Sequence, residues 1–270
     1  MSDDILLLGP EPDASDPLAG LPAARVRTRA EIRKAVADCV AEHLWVAPRV
    51  HDLLPLLSFL DTDRCSRRAL RSQSVVVLQP LTPAQRTVFP ELFRRVLAPD
   101  EHLRLLPTAE LVDVLSAPDR ADYLVAVAVD ADSGVAVLYR GNLEALVVPF
   151  SWFRTPGQGT APDFADFAVG DFGQTVRFGE YEAAASAILY AFDSDYRKRA
   201  KERELGLDRS IGGSVRRLRL FRGLRQSDFP GISAKEIGRI ERGDIQKPHA
   251  ATLVSIAARL GVSVEELRSY

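Results

Sequence analysis

The apolar residues of the first 118 positions fall in short runs separated by helix-like stretches, and this alternation limits the possible folds more than any other feature. DILLLG (Asp4–Gly9) reads as a buried strand, with Arg25–Thr28, LWVA (Leu44–Ala47) and SVVVLQ (Ser74–Gln79) as further strands. Between them, Arg29–Glu42 places Ile32, Val36, Ala37 and Val40 on one helical face, and Val50–Leu60 is a second helix with Pro55 near its first turn. Thr82 and Pro83 open a third helix to Leu97 as N-cap and first helical residue. Leu103–Leu106 and Thr108–Leu115 repeat the strand-then-helix unit. Such alternation predicts a parallel sheet with flanking helices, an α/β domain over residues 1–118.

After Pro118 the pattern changes. Tyr123–Asp130, Val135–Arg140 and Leu143–Phe153 are strand-like and joined by the short turns ADSG and GN, which predicts an antiparallel meander. Thr155–Pro162 reads as a loop, and Phe167–Val169 and Gln174–Phe178 as short strands completing an antiparallel α+β module over 119–180. A connector helix is expected over 181–206; it begins apolar (AAASAILYAF) and ends charged (DYRKRAKERE). The glycines of Gly206–Gly213 suggest a hinge. Residues 207–270 then form a small all-helical domain.

Composition narrows the function. Hydrophobic residues are 46% and charged residues 27%, which excludes a disordered or collagen-like chain. No apolar run approaches the roughly 18–20 residues of a membrane span, and the acidic start MSDDILLLGPEPD is unlike a secretory leader. A cytoplasmic, nucleoid-associated location is expected, with no membrane partner. Cys39 and Cys65 are too few for a disulfide framework or a metal cage. The net charge of −2 conceals a division: Arg197–Tyr270 carries 17 basic and 9 acidic residues, a net of +8, so the remainder is at −10. A compact basic tail on an acidic body points to a polyanionic partner for the tail.

The tail carries the strongest pattern. In Ser214–Tyr270, helical segments at Val215–Arg222, Gln226–Phe229, Ala234–Arg242, Ala250–Leu260 and Val264–Leu267 are separated by turn signals. Leu218, Ile237, Ile240, Leu253, Ile256, Ala257, Leu260, Val262 and Leu267 are placed to share one small core. Ser233 is a natural N-cap, with Glu236 completing a capping box, and Gly243 ends that helix. The landmarks VRRLRLFRGLRQ, ISAKEIGRIERG, the proline of QKP and TLVSIAARLGVSVEEL resemble the Cro/CI-type (lambda-repressor-like, XRE) helix-turn-helix family. The resemblance implies binding to double-stranded DNA, with the third helix in the major groove and the second crossing the backbone. It makes Lys235, Glu236 and Arg239 candidates for base edges. Arg225, Gln226, Lys247 and His249 are candidates for phosphates, with Ser233 and Arg242 beside them. Glu241 is expected to be a structural hydrogen-bonding partner. The SDFPG segment is about three residues shorter than the family's usual spacing, so the second helix should be one turn short, closed by Pro230.

A second resemblance covers about 70 residues. VAVLYRGNLEALVVPFSWF followed by FAVGDFGQTVRFGEYEAAASAIL is similar to the bacterial domain of unknown function 2442, with Pro149–Phe153 in place of its PLSWF-like segment. Trp152 and Phe153 are expected as core or interface aromatics. Enzyme signatures are missing. GPEPDASDPLAG lacks the glycine spacing of a dinucleotide or phosphate loop, LWVA does not end in a phosphoacceptor acid, and His43, His51 and His102 lack ligand spacing. The expectation is a non-enzymatic, cofactor-free transcriptional regulator, homodimeric because one small reader covers only a half-site. Its N-terminal body would sense a small ligand or bind a protein. The alternatives are an antitoxin-like interaction protein that autoregulates its operon, and a nucleotide-binding enzyme tethered to DNA.

Overall fold

In the computed structural model, residues 5–37, 43–58, 70–153 and 160–269 are described. Cys39 and Cys65, Val40 and most of the Thr155–Pro162 loop lie outside them. The chain divides into two units, Met1–Asp193 and Ser194–Tyr270.

The first unit opens with a five-stranded parallel sheet of β1 (Ile5–Leu8), β2 (Ala24–Val26), β3 (Leu44–Ala47), β4 (Ser74–Val77) and β5 (Arg95–Leu97), in the order β2-β1-β3-β4-β5. Side chains alternate across a strand, and here both faces are covered. Leu6, Leu8, Trp45, Val75 and Val77 pack beside Ile32 and Val36 of α1 (Arg29–Ala37), Leu56 of α2 (Leu54–Leu57) and Phe89 of α3 (Pro83–Leu92). Ile5, Leu7, Val46 and Val76 share the opposite core with residues from beyond position 100. Double burial explains why these strands are continuous apolar runs.

Two expected elements differ. The helix opened by Thr82, whose hydroxyl accepts from the Gln85 amide, ends at Leu92 rather than Leu97. Phe93 turns extended, and Arg95–Leu97 pairs with β4, because sheet pairing overrides a helical period that continues only in sequence. The segment after β3 was expected to form one helix from Val50; it forms a 3-10 turn, Val50–Leu53, and then α2.

The expected repeat of the parallel unit after position 100 is also corrected. β6 (Leu103–Leu105) pairs antiparallel with β7 (Leu124–Asp130), from Leu103↔Ala128 to Leu105↔Ala126. Only residues 98–102 separate β5 from β6, too few for the crossover a parallel pair requires. β8 (Val135–Arg140) and β9 (Ala145–Pro149) complete the sheet in the order β6-β7-β8-β9. Leu111 and Leu115 of α4 (Thr108–Ser116) share a core with Val125 and Val127 of β7 and with Ile5 and Leu7, so the hydrophobic core runs across position 118. Phe150–Phe153 forms a 3-10 turn rather than the end of β9, with Phe153 buried against Phe178 and Trp152 packed on it edge-on.

A third, antiparallel sheet holds β10 (Phe167–Gly170), β11 (Thr175–Phe178) and β12 (Tyr181–Ala184). The start of the expected 181–206 helix is thus a hairpin strand, and the rest is two helices, α5 (Ala185–Phe192) and α6 (Ser194–Leu207). The break at Asp193 has a cause. Its backbone is extended, and its carboxylate lies 2.8 Å from Nη1 of Arg140, a side chain only 6% exposed. Arg140 also faces Glu144 at 3.3 Å and donates to the Ala121 carbonyl.

Among its described residues the second unit holds helices and no strand: α6, α7 (Ile211–Phe221), a 3-10 turn at Gln226–Asp228, α8 (Ala234–Glu241), α9 (Ala250–Leu260) and α10 (Val264–Ser269). Its core gathers Val215, Leu218, Phe229, Ile237, Ile240, Leu253, Ile256, Ala257, Leu260 and Leu267, with Val262 at the edge. The second helix is therefore a single 3-10 turn, shorter than the sequence suggested. Phe229 is buried behind it and Pro230 exposed. Nor do the glycines of 206–213 form a hinge. Gly206 lies within α6, while Gly212 and Gly213 are buried in α7, where a Cβ on Gly212 would overlap the Ile240 carbonyl. Gly212 permits close packing of α7 on α8, and Gly213 leaves room for the Asp208 carbonyl at the start of α7. Among the described residues no helix is long and apolar enough to cross a membrane.

Candidate nucleic-acid interface

α8 is short and sharply two-faced. Ser233 stands at its N-cap with extended backbone, and its hydroxyl accepts from the Glu236 amide at 3.1 Å. Ile237 and Ile240 turn into the core, while Lys235 and Arg239 lie exposed on the other side and Glu236 is half-buried. The helix stops at Glu241, and the chain returns through a polar loop held to it by the Ile245 amide, which donates to the Arg239 carbonyl at 3.3 Å. That loop brings Lys247, Pro248 and His249 alongside, His249 being the residue before α9.

The result is a groove of about 420 Å3. Ser233, Lys235, Glu236, Arg239, Lys247 and His249, six of the nine residues selected from sequence, line it together. Ile245 and Pro248 form its apolar wall. Ile245 had a legible signal: it is the single large apolar residue in the polar run RGDIQKPH.

The other three stand outside this groove. Arg225 is exposed, and its amide donates to the Asp228 carboxylate at 2.7 Å. Arg242, also exposed, pairs with Asp244 at 3.0 Å. Gln226 is turned inward: its Nε2 donates to Glu241 Oε2 at 2.8 Å. A side-chain amide carries two N–H donors, so this contact uses one of them.

Glu241 centres an internal network. Arg219 grips it with one edge of the guanidinium, Nε to Oε1 at 2.5 Å and Nη2 to Oε2 at 3.0 Å, and Arg219 Nη1 donates to the Leu224 carbonyl at 2.9 Å. The two side chains are 10% and 4% exposed. Arg219 escaped the sequence reading. Its signal was position: it follows Leu218 and stands four residues after Val215, on the apolar face of α7, where an arginine needs a carboxylate partner. The network ties α7, the 3-10 turn and the end of α8 together, so the exposed face of α8 is presented on a fixed support. Chemically, the groove offers ammonium, guanidinium and imidazole donors, one carboxylate acceptor and a small apolar wall.

Set against known protein families, curated proteins and solved structures, the chain matches none of them.

Proposed function

We propose that the chain is a sequence-specific DNA-binding transcriptional regulator whose C-terminal unit is a helix-turn-helix reader. The observation that carries this reading is the groove beside α8, where Lys235, Arg239, Lys247 and His249 converge on one side of a helix whose opposite face is locked into the core. A short rigid helix with donors on its exposed face fits the DNA major groove. The charge of the tail, +8 over Arg197–Tyr270, supplies the sequence-independent attraction. In this reading Lys235, Glu236 and Arg239 meet base edges. Arg225, Lys247, His249 and the second N–H of Gln226 meet phosphates. Arg242 and the Ser233 hydroxyl lie at the border of the contact.

One reader of this size spans a half-site, so the functional form is a homodimer on a two-fold operator. The regulator works at the nucleoid. The test is selection of bound duplexes from a random DNA pool with the full-length protein. The reading expects one enriched motif with two-fold repetition; a pool that stays unenriched after successive rounds refutes it.

A further inference from the structure

At the carboxyl ends of β2, β1 and β3 the parallel sheet opens into a cavity of about 600 Å3. β1 runs out into Gly9, β2 into Arg27 and Arg29, and β3 into the segment holding His51 and Leu54. The strand order makes this place special. From β1 the chain moves to β2 on one side, then crosses back to β3 on the other. Crevices at such a reversal are where open parallel sheets take ligands, and the volume lies within the usual range for small molecules.

Local details keep the crevice open and set its charge. Gly9 has φ +107°, and a Cβ there would stand 3.0 Å from the Asp52 carboxyl carbon. Asp52 is buried, and its carboxylate is taken by its own loop, accepting from the Arg49 amide at 3.0 Å and Arg49 Nη2 at 3.0 Å. The other ionisable groups among the described lining residues are Arg27, Arg29 and His51. The amides of Arg27 and Thr28, just before α1, are already spent on the Glu31 carboxylate at 2.8 and 2.9 Å. These bonds hold Glu31 below its usual pKa, so it remains anionic. Anion recognition therefore falls to the arginine and histidine side chains. Arg27 holds Glu11 at 3.0 Å on the open surface, a weak kind of pair that a stronger anion can displace. Leu54, 54% exposed, lines the same cavity beside Pro55, an apolar shelf open to a ligand's body.

We propose that this cavity binds a small organic phosphate with a flat ring, of the nucleoside monophosphate class. Arg27 and Arg29, with His51, hold the phosphate, and Leu54 and Pro55 support the ring. Two guanidinium forks suit a phosphate dianion better than the single charge of a carboxylate. Such a site gives the N-terminal unit a ligand of its own, independent of any DNA bound elsewhere.

The test uses the full-length protein without DNA, so its outcome is separate from that of the DNA reading. Thermal unfolding and calorimetric titration are run with the four ribonucleoside 5′-monophosphates, their nucleosides and inorganic phosphate. At least one monophosphate should raise the unfolding temperature and bind roughly tenfold or more tighter than both its nucleoside and inorganic phosphate. Arg27→Gln and Arg29→Gln, both at exposed positions, should each weaken it several-fold, and His51→Ala gives an independent reading of the same wall. If no monophosphate shifts the unfolding temperature at about 10 mM, or if the arginine variants bind as the parent does, the proposal is overturned.

Discussion

Arg239 and Lys247 share a groove but stand on different backbone, and that difference assigns them different work in the proposed reader. Arg239 projects from α8, one turn beyond Lys235, where a guanidinium fork can meet a base edge; Lys247 sits in the loop before Pro248. Arg239→Ala should cost about 1–3 kcal/mol on the preferred duplex and relax preference at one base pair. Lys247→Ala should weaken all duplexes alike and lower the salt slope by about one. Titrations on specific and scrambled duplexes across a salt series separate the two, and exchanged phenotypes would reverse the docking. Glu241 makes a contrasting case, because its carboxylate serves the fold. Removing it in Glu241→Ala leaves the Arg219 guanidinium buried without its partner, a change worth about 3–5 kcal/mol. Amide exchange in the intact protein should accelerate along α7 and α8; unchanged protection there would show that the pair contributes little.

Elements were legible in the sequence where local pattern and tertiary demand agreed. β1, β3 and β4 are apolar runs buried on both faces, α8 carries its N-cap Ser233 and its apolar face in the sequence itself, and α9 carries its apolar face. Legibility failed where a distant partner decided. FRRVL continues a helical period, yet β4 claims Arg95–Leu97 as a strand. Tyr181–Ala184 looks helical beside AAASAIL, yet β11 claims it through a hairpin. At the candidate interface, the residues that converge were visible as a basic helix and loop. The inward turn of Gln226 was not, because it depends on a carboxylate fifteen residues away that is itself fixed by Arg219. Gly212 was misread for a related reason. Paired glycines signal freedom in isolation, whereas here the missing Cβ makes room for the Ile240 carbonyl. Gly212→Ala should therefore loosen the contact of α7 with α8, at about 1–3 kcal/mol of overpacking cost. A flexible joint would accept alanine with no loss, so equal or slower amide exchange in the variant would restore the hinge.

At the scale of the whole molecule, the two units divide the labour that the proposed function requires. The core of the second unit lies wholly within residues 211–267. A Leu207–Tyr270 fragment should consequently bind DNA, but more weakly than the full chain and without cooperativity on a two-fold site, if dimerisation resides in the remainder. Equal affinity and cooperativity would place the dimer contact in the tail. The parallel sheet also sets a timetable. β1 precedes both of its sheet neighbours, β2 and β3, in the chain, so its four buried residues wait until the chain has grown past Val46. The tail needs only near neighbours in sequence, and chains with local contacts fold faster than those with distant ones. Both tryptophans, Trp45 and Trp152, belong to the first unit, so indole fluorescence follows that unit alone. After dilution from denaturant, part of the helical signal should return before the tryptophan signal does. On refolding, the helical unit would thus mature before the unit that precedes it in the chain, while β1 stays a sticky, unpaired strand until both its neighbours have formed.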